Sequence, residues 1–85
     1  MTQKFCFYIL FLNMSGSFFY LRLGEIIFRI REKKKLTQEQ LSLLCDIDRS
    51  YLSKIEKGRT NPSVKIINKI CRVFKMKICN LLKGL

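Results

Sequence analysis

The sequence predicts a small helical domain built on two consecutive helices and a tight turn, and three observations within residues 37–58, TQEQLSLLCDIDRSYLSKIEKG, lead to it. Thr37 followed by Gln40 is a capping box, a hydroxyl and an amide that satisfy the free N–H groups where a helix begins. Cys45-Asp46-Ile47 then breaks the apolar spacing as a short turn. Gly58 supplies the left-handed stop that a helix C-terminus favours.

The first 22 residues differ in character from the rest. Seven of the ten aromatic residues lie between Phe5 and Tyr20, and no charge occurs between Lys4 and Arg22. We read residues 1–22 as an apolar N-terminal extension and residues 23–85 as the domain. FCFYILFL and FFYLRL are rich in strand formers, and Asn13 to Ser17 is a turn-like bridge, so a β-hairpin is one reading. A membrane anchor is another, with Asn13, Ser15, Gly16 and Ser17 interrupting it, and an exported leader or a working start at Met14 are further ones. The expectation is packing against the domain or between protomers, near Ile26 and Phe28, with membrane association of residues 1–22 in second place.

The first helix follows, with a core stripe of Ile27 and Ile30 that also carries Arg31. Its end, Lys33 to Lys35, reads as a solvated run that complements the helix dipole. The second helix starts at the capping box and is expected to bury Leu41 and Leu44. Asp48 is placed to cap the third helix, where a turn of about 100° per residue gathers Leu52, Ile55 and Glu56 inside and Arg49, Ser50, Ser53, Lys54 and Lys57 outside. That outer arc contains no acid. Arginine can fork onto guanine O6 and N7, serine can bond a base edge, and lysines reach phosphates, so the face suits a DNA major groove. Glu56 and Arg31 both point inward from different helices and are expected to pair.

Asn61-Pro62-Ser63 reads as a loop and cap before VKIINKICRVF. Val64, Ile67, Ile70, Cys71 and Phe74 form the stripe of that helix, while the flank of Ile66 and Val73 fits a dimer surface and packing under a last helix equally well. The expected core comprises Ile27, Ile30, Leu36, Leu41, Leu44, Ile47, Leu52, Ile55, Val64, Ile67, Ile70, Phe74 and Ile78.

Composition points to a polyanion independently. Seventeen Lys and Arg against six Asp and Glu give a net charge of +11 in 85 residues, and a surface of that sign most commonly meets phosphate backbones. Cys6, Cys45, Cys71 and Cys79 contain no C-x-x-C pair and the chain has no His. A structural zinc site therefore lacks both spacing and nitrogen ligands, and reduced, buried cysteines imply the cytosol. The chain has neither His nor a glycine-rich phosphate loop, and its acids are scattered. The reading is a non-enzyme without metal or cofactor.

From Gly24 to Leu82 the sequence resembles the lambda-repressor-like, XRE-type helix-turn-helix family. GEIIFRIREKKKLTQ is similar to the family's first helix and its S/T-Q second-helix start, and SYLSKIEKG, RTNPS and an amphipathic fourth helix follow in order. The resemblance implies a compact five-helix all-α fold and double-stranded DNA as partner. It implies that Gln38 opens the second helix and touches phosphate, that Arg49, Ser50 and Lys54 face bases or backbone, and that Arg59, Thr60 and Asn61 meet the backbone beyond the recognition helix. It also implies the Arg31–Glu56 link. Four positions depart from the pattern: Ser42 replaces a usual Ala, Asp46 and Lys35 replace usual glycines, and Lys77 stands at an N-cap where its side chain accepts no backbone hydrogen bond. The function expected is a dimeric transcriptional repressor or restriction-modification controller on a palindromic operator. A membrane-tethered protein-binding module on the same scaffold is the alternative.

Overall fold

The computed structural model describes residues 16–83. Among them are five helices and no strand: α1 (Gly16–Lys33), α2 (Gln38–Cys45), α3 (Arg49–Glu56), α4 (Val64–Phe74) and α5 (Ile78–Lys83). α1 packs on α3, α2 packs on both α3 and α4, and α5 closes against α4. The core between them holds Leu23, Ile27, Leu41, Cys45, Leu52, Ile55, Ile67, Ile70, Cys71, Phe74 and Leu81.

The hairpin reading fails for its second half. FFYLRL lies inside α1, where Phe19, Leu23, Ile27 and Arg31 recur every fourth residue and turn toward the core. Strand propensity measures fit to a half-buried surface, and here the helical period has a surface to cover. The junction at residue 22 thus falls within one continuous helix. FCFYILFL, Cys6 and Met14 lie outside the described residues, and no described helix is long and apolar enough to cross a membrane.

Two glycines set how closely α1 approaches α3. A Cβ on Gly24 would meet the Ile55 carbonyl oxygen and lie 2.7 Å from that of Glu56. Only a bare backbone lets the helices cross there. Gly58 has φ +70, and a Cβ on it would lie 2.7 Å from Leu21 Cα. Conformation and proximity both require glycine at that position.

The capping box is formed, with Gln40 N–H donating to Thr37 Oγ1 at 3.0 Å and Thr37 N–H donating to Gln40 Oε1 at 2.8 Å. Ser63 Oγ accepts from Ile66 N–H and starts α4 as expected. Asp48 occupies the N-cap of α3, but its side chain accepts no backbone hydrogen bond. Its carboxylate takes the Ser50 hydroxyl at 2.8 Å instead. Lys77 caps α5 through its backbone carbonyl alone, which accepts from Asn80 and Leu81. The burial of Leu81 compensates for the missing side-chain cap.

α1 to α4 all end in one pattern, in which a left-handed residue and its successor donate back to the last turn at 2.9–3.2 Å. This is the Schellman termination. The left-handed residues are Lys35, Asp46, Gly58 and Lys75, and the residues after three of them, Leu36, Ile47 and Met76, pack against the core.

Two expected core positions are corrected. Leu44 is 61% exposed and Val64 is 65% exposed. In α2 the buried set is Leu41, Ser42 and Cys45, because Ser42 and Cys45 lie about 100° and 40° to one side of Leu41 and Leu44 about 60° to the other. Val64, in the first turn of α4, stands about 60° off Ile67 at the edge of the stripe. Ser42 is buried with its hydroxyl donating to the Glu39 carbonyl at 2.8 Å, so it stands in for alanine without an unsatisfied group. Ile66 and Val73 are partly buried against the core, as is Ile78. Burial pushes the Cys45 thiol up to about 11 and also raises that of Cys71. Both stay protonated and unreactive at neutral pH.

Left-handed lysine is strained where glycine is not. Lys35→Gly and Lys75→Gly should each stabilise the fold by about 0.5–1 kcal/mol, measured as an increase in the urea midpoint at unchanged slope. Loss of stability in both would show that these turns are not strained.

Candidate nucleic-acid interface

The site is built outward from a buried ion pair. Arg31 Nε donates to Glu56 Oε2 at 2.7 Å and Nη2 to Oε1 at 3.1 Å, joining the end of α1 to the end of α3. Both side chains are almost inaccessible, at 7% and 4% exposure. Arg31 Nη1 also donates to the Leu36 carbonyl at 2.7 Å, and its guanidinium carbon lies 5.3 Å from the centre of the Phe28 ring. Two parallel bonds between a planar fork and a carboxylate fix orientation as well as distance. Among the described residues no buried side-chain nitrogen or oxygen lacks a partner.

That pair holds α3 with its polar side outward. Arg49, Ser50, Lys54 and Lys57 are exposed and Ser53 is half-buried. Gln38 sits beside them at the start of α2, its Nε2 donating to Glu56 Oε1 at 2.9 Å and its Oε1 accepting from Arg49 Nη1 at 3.3 Å. Arg59 and Asn61 are exposed and Thr60 is half-buried, in the loop between Gly58 and the buried Pro62. The expected site residues thus fall on α3, on the first residue of α2, and on the segment leaving α3. Gln38 and Arg49 are joined directly.

Two features escaped the sequence reading. Asp48 brings a carboxylate to the edge of the basic face through Ser50. Glu56 serves Arg31 and Gln38 together, so it reaches the outer face as well as the core. The phase of Glu56 gave the first partner, but no one-dimensional spacing links residues 38, 49 and 56.

The charge of the segment that leaves α3 is of one sign. Beyond Glu56 the sequence has eight Lys and Arg and no Asp or Glu. Among the described residues no group of His, Cys, Asp or Glu could hold a metal ion. Apart from the Arg31–Glu56 pair, the ion pairs Arg22–Glu25 and Arg29–Glu25 are partly or largely exposed and span single turns of α1. Glu25 is shared between the two arginines, so α1, with four Lys and Arg against two Glu, stays net positive.

Residues 27–81 match the helix-turn-helix family model HTH_3, well over half of the chain. The chain belongs to the lambda-repressor-like, XRE-type helix-turn-helix family. This helix-turn-helix chain is 37% identical over 60 residues to the HTH-type transcriptional regulator SlrR of Bacillus subtilis, covering 69% of this chain and 40% of SlrR. It is equally 37% identical over 60 residues to the control protein C.BamHI of Bacillus amyloliquefaciens, covering 69% of this chain and 74% of that protein. The fold superposes on the crystal structure of the restriction-modification controller C.AhdI from Aeromonas hydrophila with a TM-score of 0.71 at 31% identity, covering 73% of this chain and 94% of the other. The chain spans about two fifths of the length of SlrR and of the phage phi105 immunity repressor.

In this helix-turn-helix domain, removing one member of the buried pair strands the other without solvent. Glu56→Ala should cost about 3–5 kcal/mol of stability in urea unfolding, several times what a surface pair contributes. A loss below about 1 kcal/mol would mean that Arg31 is solvated and the pair is not buried in solution.

Proposed function

We propose that the protein is a sequence-specific DNA-binding transcriptional regulator, a repressor or restriction-modification controller that binds a palindromic operator as a homodimer. The observation that carries this reading is the exposed α3 face of Arg49, Ser50, Lys54 and Lys57, held outward by a buried link at its other end. A helix so fixed, preceded by a tight turn and rich in donors, fits the width of a major groove. Its relatives, which include a transcriptional regulator, an immunity repressor and a restriction-modification control protein, support the same assignment.

In this reading Arg49 contacts a base edge, with Ser50 and Ser53 beside it. Gln38, Lys54, Lys57, Arg59, Thr60 and Asn61 meet the phosphate backbone on both sides of the recognition helix. Two copies on a duplex would place their α3 helices one helical turn apart, which is why a symmetric operator is proposed. We assign residues 23–85 to DNA binding and the apolar residues before them to assembly, since Phe18 and Leu21 lie exposed on α1 with Phe28 exposed farther along the same helix. The protein works in the cytoplasm, without catalysis, metal or cofactor.

A duplex selected by the wild-type chain from a randomised pool provides the test. Arg49→Ala should weaken binding to that duplex by about 1–3 kcal/mol and binding to a scrambled duplex much less. Because phosphate neutralisation supplies much of the affinity, log K should fall steeply with log salt, and Lys57→Ala should reduce the slope by about one unit. Equal losses on both duplexes would remove base readout by Arg49, and a flat salt dependence would remove DNA as the partner.

A further inference from the structure

The start of α3 brings an acid to the edge of the basic face. Asp48 stands at the N-cap, yet its side chain accepts no backbone hydrogen bond there. Its Oδ2 accepts from the Ser50 hydroxyl at 2.8 Å instead, and both residues are exposed. An ionised carboxylate holds no proton, so the one proton of this bond is the serine's. Ser50 Oγ is thereby left with lone pairs alone. A serine with a free hydroxyl can donate or accept at a base edge, but this one can donate only by giving up a charge-assisted bond, the stronger kind. The other lone pairs of Asp48 accept as well, so residues 48 and 50 together form an acceptor patch beside the donor-only guanidinium of Arg49.

We propose that Asp48 is a specificity-determining residue: by holding the Ser50 proton it makes Ser50 an acceptor, so that this position takes the exocyclic amino group of cytosine or adenine and refuses the carbonyl edges of guanine and thymine. The inference rests on the DNA-binding reading given above. In the major groove only cytosine N4 and adenine N6 present donors, whereas guanine O6 and N7, adenine N7 and thymine O4 all accept. Against any of those acceptors Ser50 would set lone pairs against lone pairs, and Asp48 would bring a negative charge up to a negative edge. The site discriminates by that repulsion as well as by its attraction. Arg49, between the two, has the opposite preference. The start of α3 thus reads a donor edge and an acceptor edge side by side.

The test uses the full chain and the duplex it selects from a randomised pool. Repeating the selection with Ser50→Ala identifies the base pair that Ser50 contacts, as the position whose preference disappears. At that pair the amino group is removed, with purine replacing adenine or 2-pyrimidinone replacing cytosine, and in a separate duplex a 7-deazapurine removes the N7 acceptor. Loss of the amino group should weaken wild-type binding about tenfold more than it weakens Ser50→Ala, the order of one base contact, whereas the 7-deazapurine should affect the two equally. Asp48→Ala frees the hydroxyl, so it should cut the preference for an amino base about tenfold and admit guanine or thymine there. Asp48→Asn keeps an oxygen that accepts from Ser50 and should keep the preference. If Asp48→Ala lowers the melting temperature, Asp48→Gly, which disturbs an N-cap little, carries the same comparison. An unchanged preference in the Asp48→Ala or Asp48→Gly chain overturns the proposal, as does a loss in Asp48→Asn as complete as in Asp48→Ala. A 7-deazapurine penalty confined to wild type overturns it too, since Ser50 would then be donating. If Ser50→Ala alters no position, Ser50 reads no base and the proposal fails. A wild-type chain that selects no sequence overturns the DNA-binding reading itself.

Discussion

The bidentate bond between Arg31 and Glu56 ties the end of α1 to the end of α3, and most of what distinguishes this molecule from a generic helical bundle depends on it. α1 and α3 would pack through Leu23, Ile27, Leu52 and Ile55 with or without the pair, since apolar burial is not directional. What the pair adds is rotation. A planar fork and a carboxylate meet in only a few geometries, and meeting there fixes which arc of α3 faces outward. Desolvating two charges offsets much of their attraction, so the pair serves orientation more than stability.

Chain geometry makes that bond reachable. Gly24 brings α1 within backbone contact of the last turn of α3, and Gly58 turns the chain beside Leu21. The left-handed residue at each of four helix ends closes its terminus and turns the chain out of the helix. Three of those four positions use a lysine or an aspartate where glycine would be less strained. The molecule therefore retains some backbone strain in exchange for surface charge at Lys35 and Lys75.

The helix order, the capping box and the inward phase of Arg31 and Glu56 were legible because each is a local pattern with one physical reading. The Thr37–Gln40 box spans four residues, and the helical period places Glu56 beside Leu52 without further information. Residues 18–23 were not legible in the same way. FFYLRL satisfies strand propensity, and only the presence of α3 and Gly58 opposite it makes the helical alternative bury Leu23. Leu44 was misplaced because both Leu44 and Cys45 fit a helical stripe from Leu41, and the choice depends on where α4 lies. The bonds from Gln38 to Glu56 and Arg49 join three residues whose spacings carry no periodic signal. Donor and acceptor complementarity fixes their direction only once the three have been brought together.

The buried pair sets the presentation of α3 and not the survival of the fold. Replacing both partners with apolar residues of similar size, Arg31→Met together with Glu56→Leu, separates the two. The double variant should have an unfolding free energy that stays within about 1 kcal/mol of wild type or exceeds it, yet its affinity for the wild-type-selected duplex should fall toward that for scrambled DNA. A double variant that unfolds like wild type and still distinguishes the two duplexes as wild type does would contradict it.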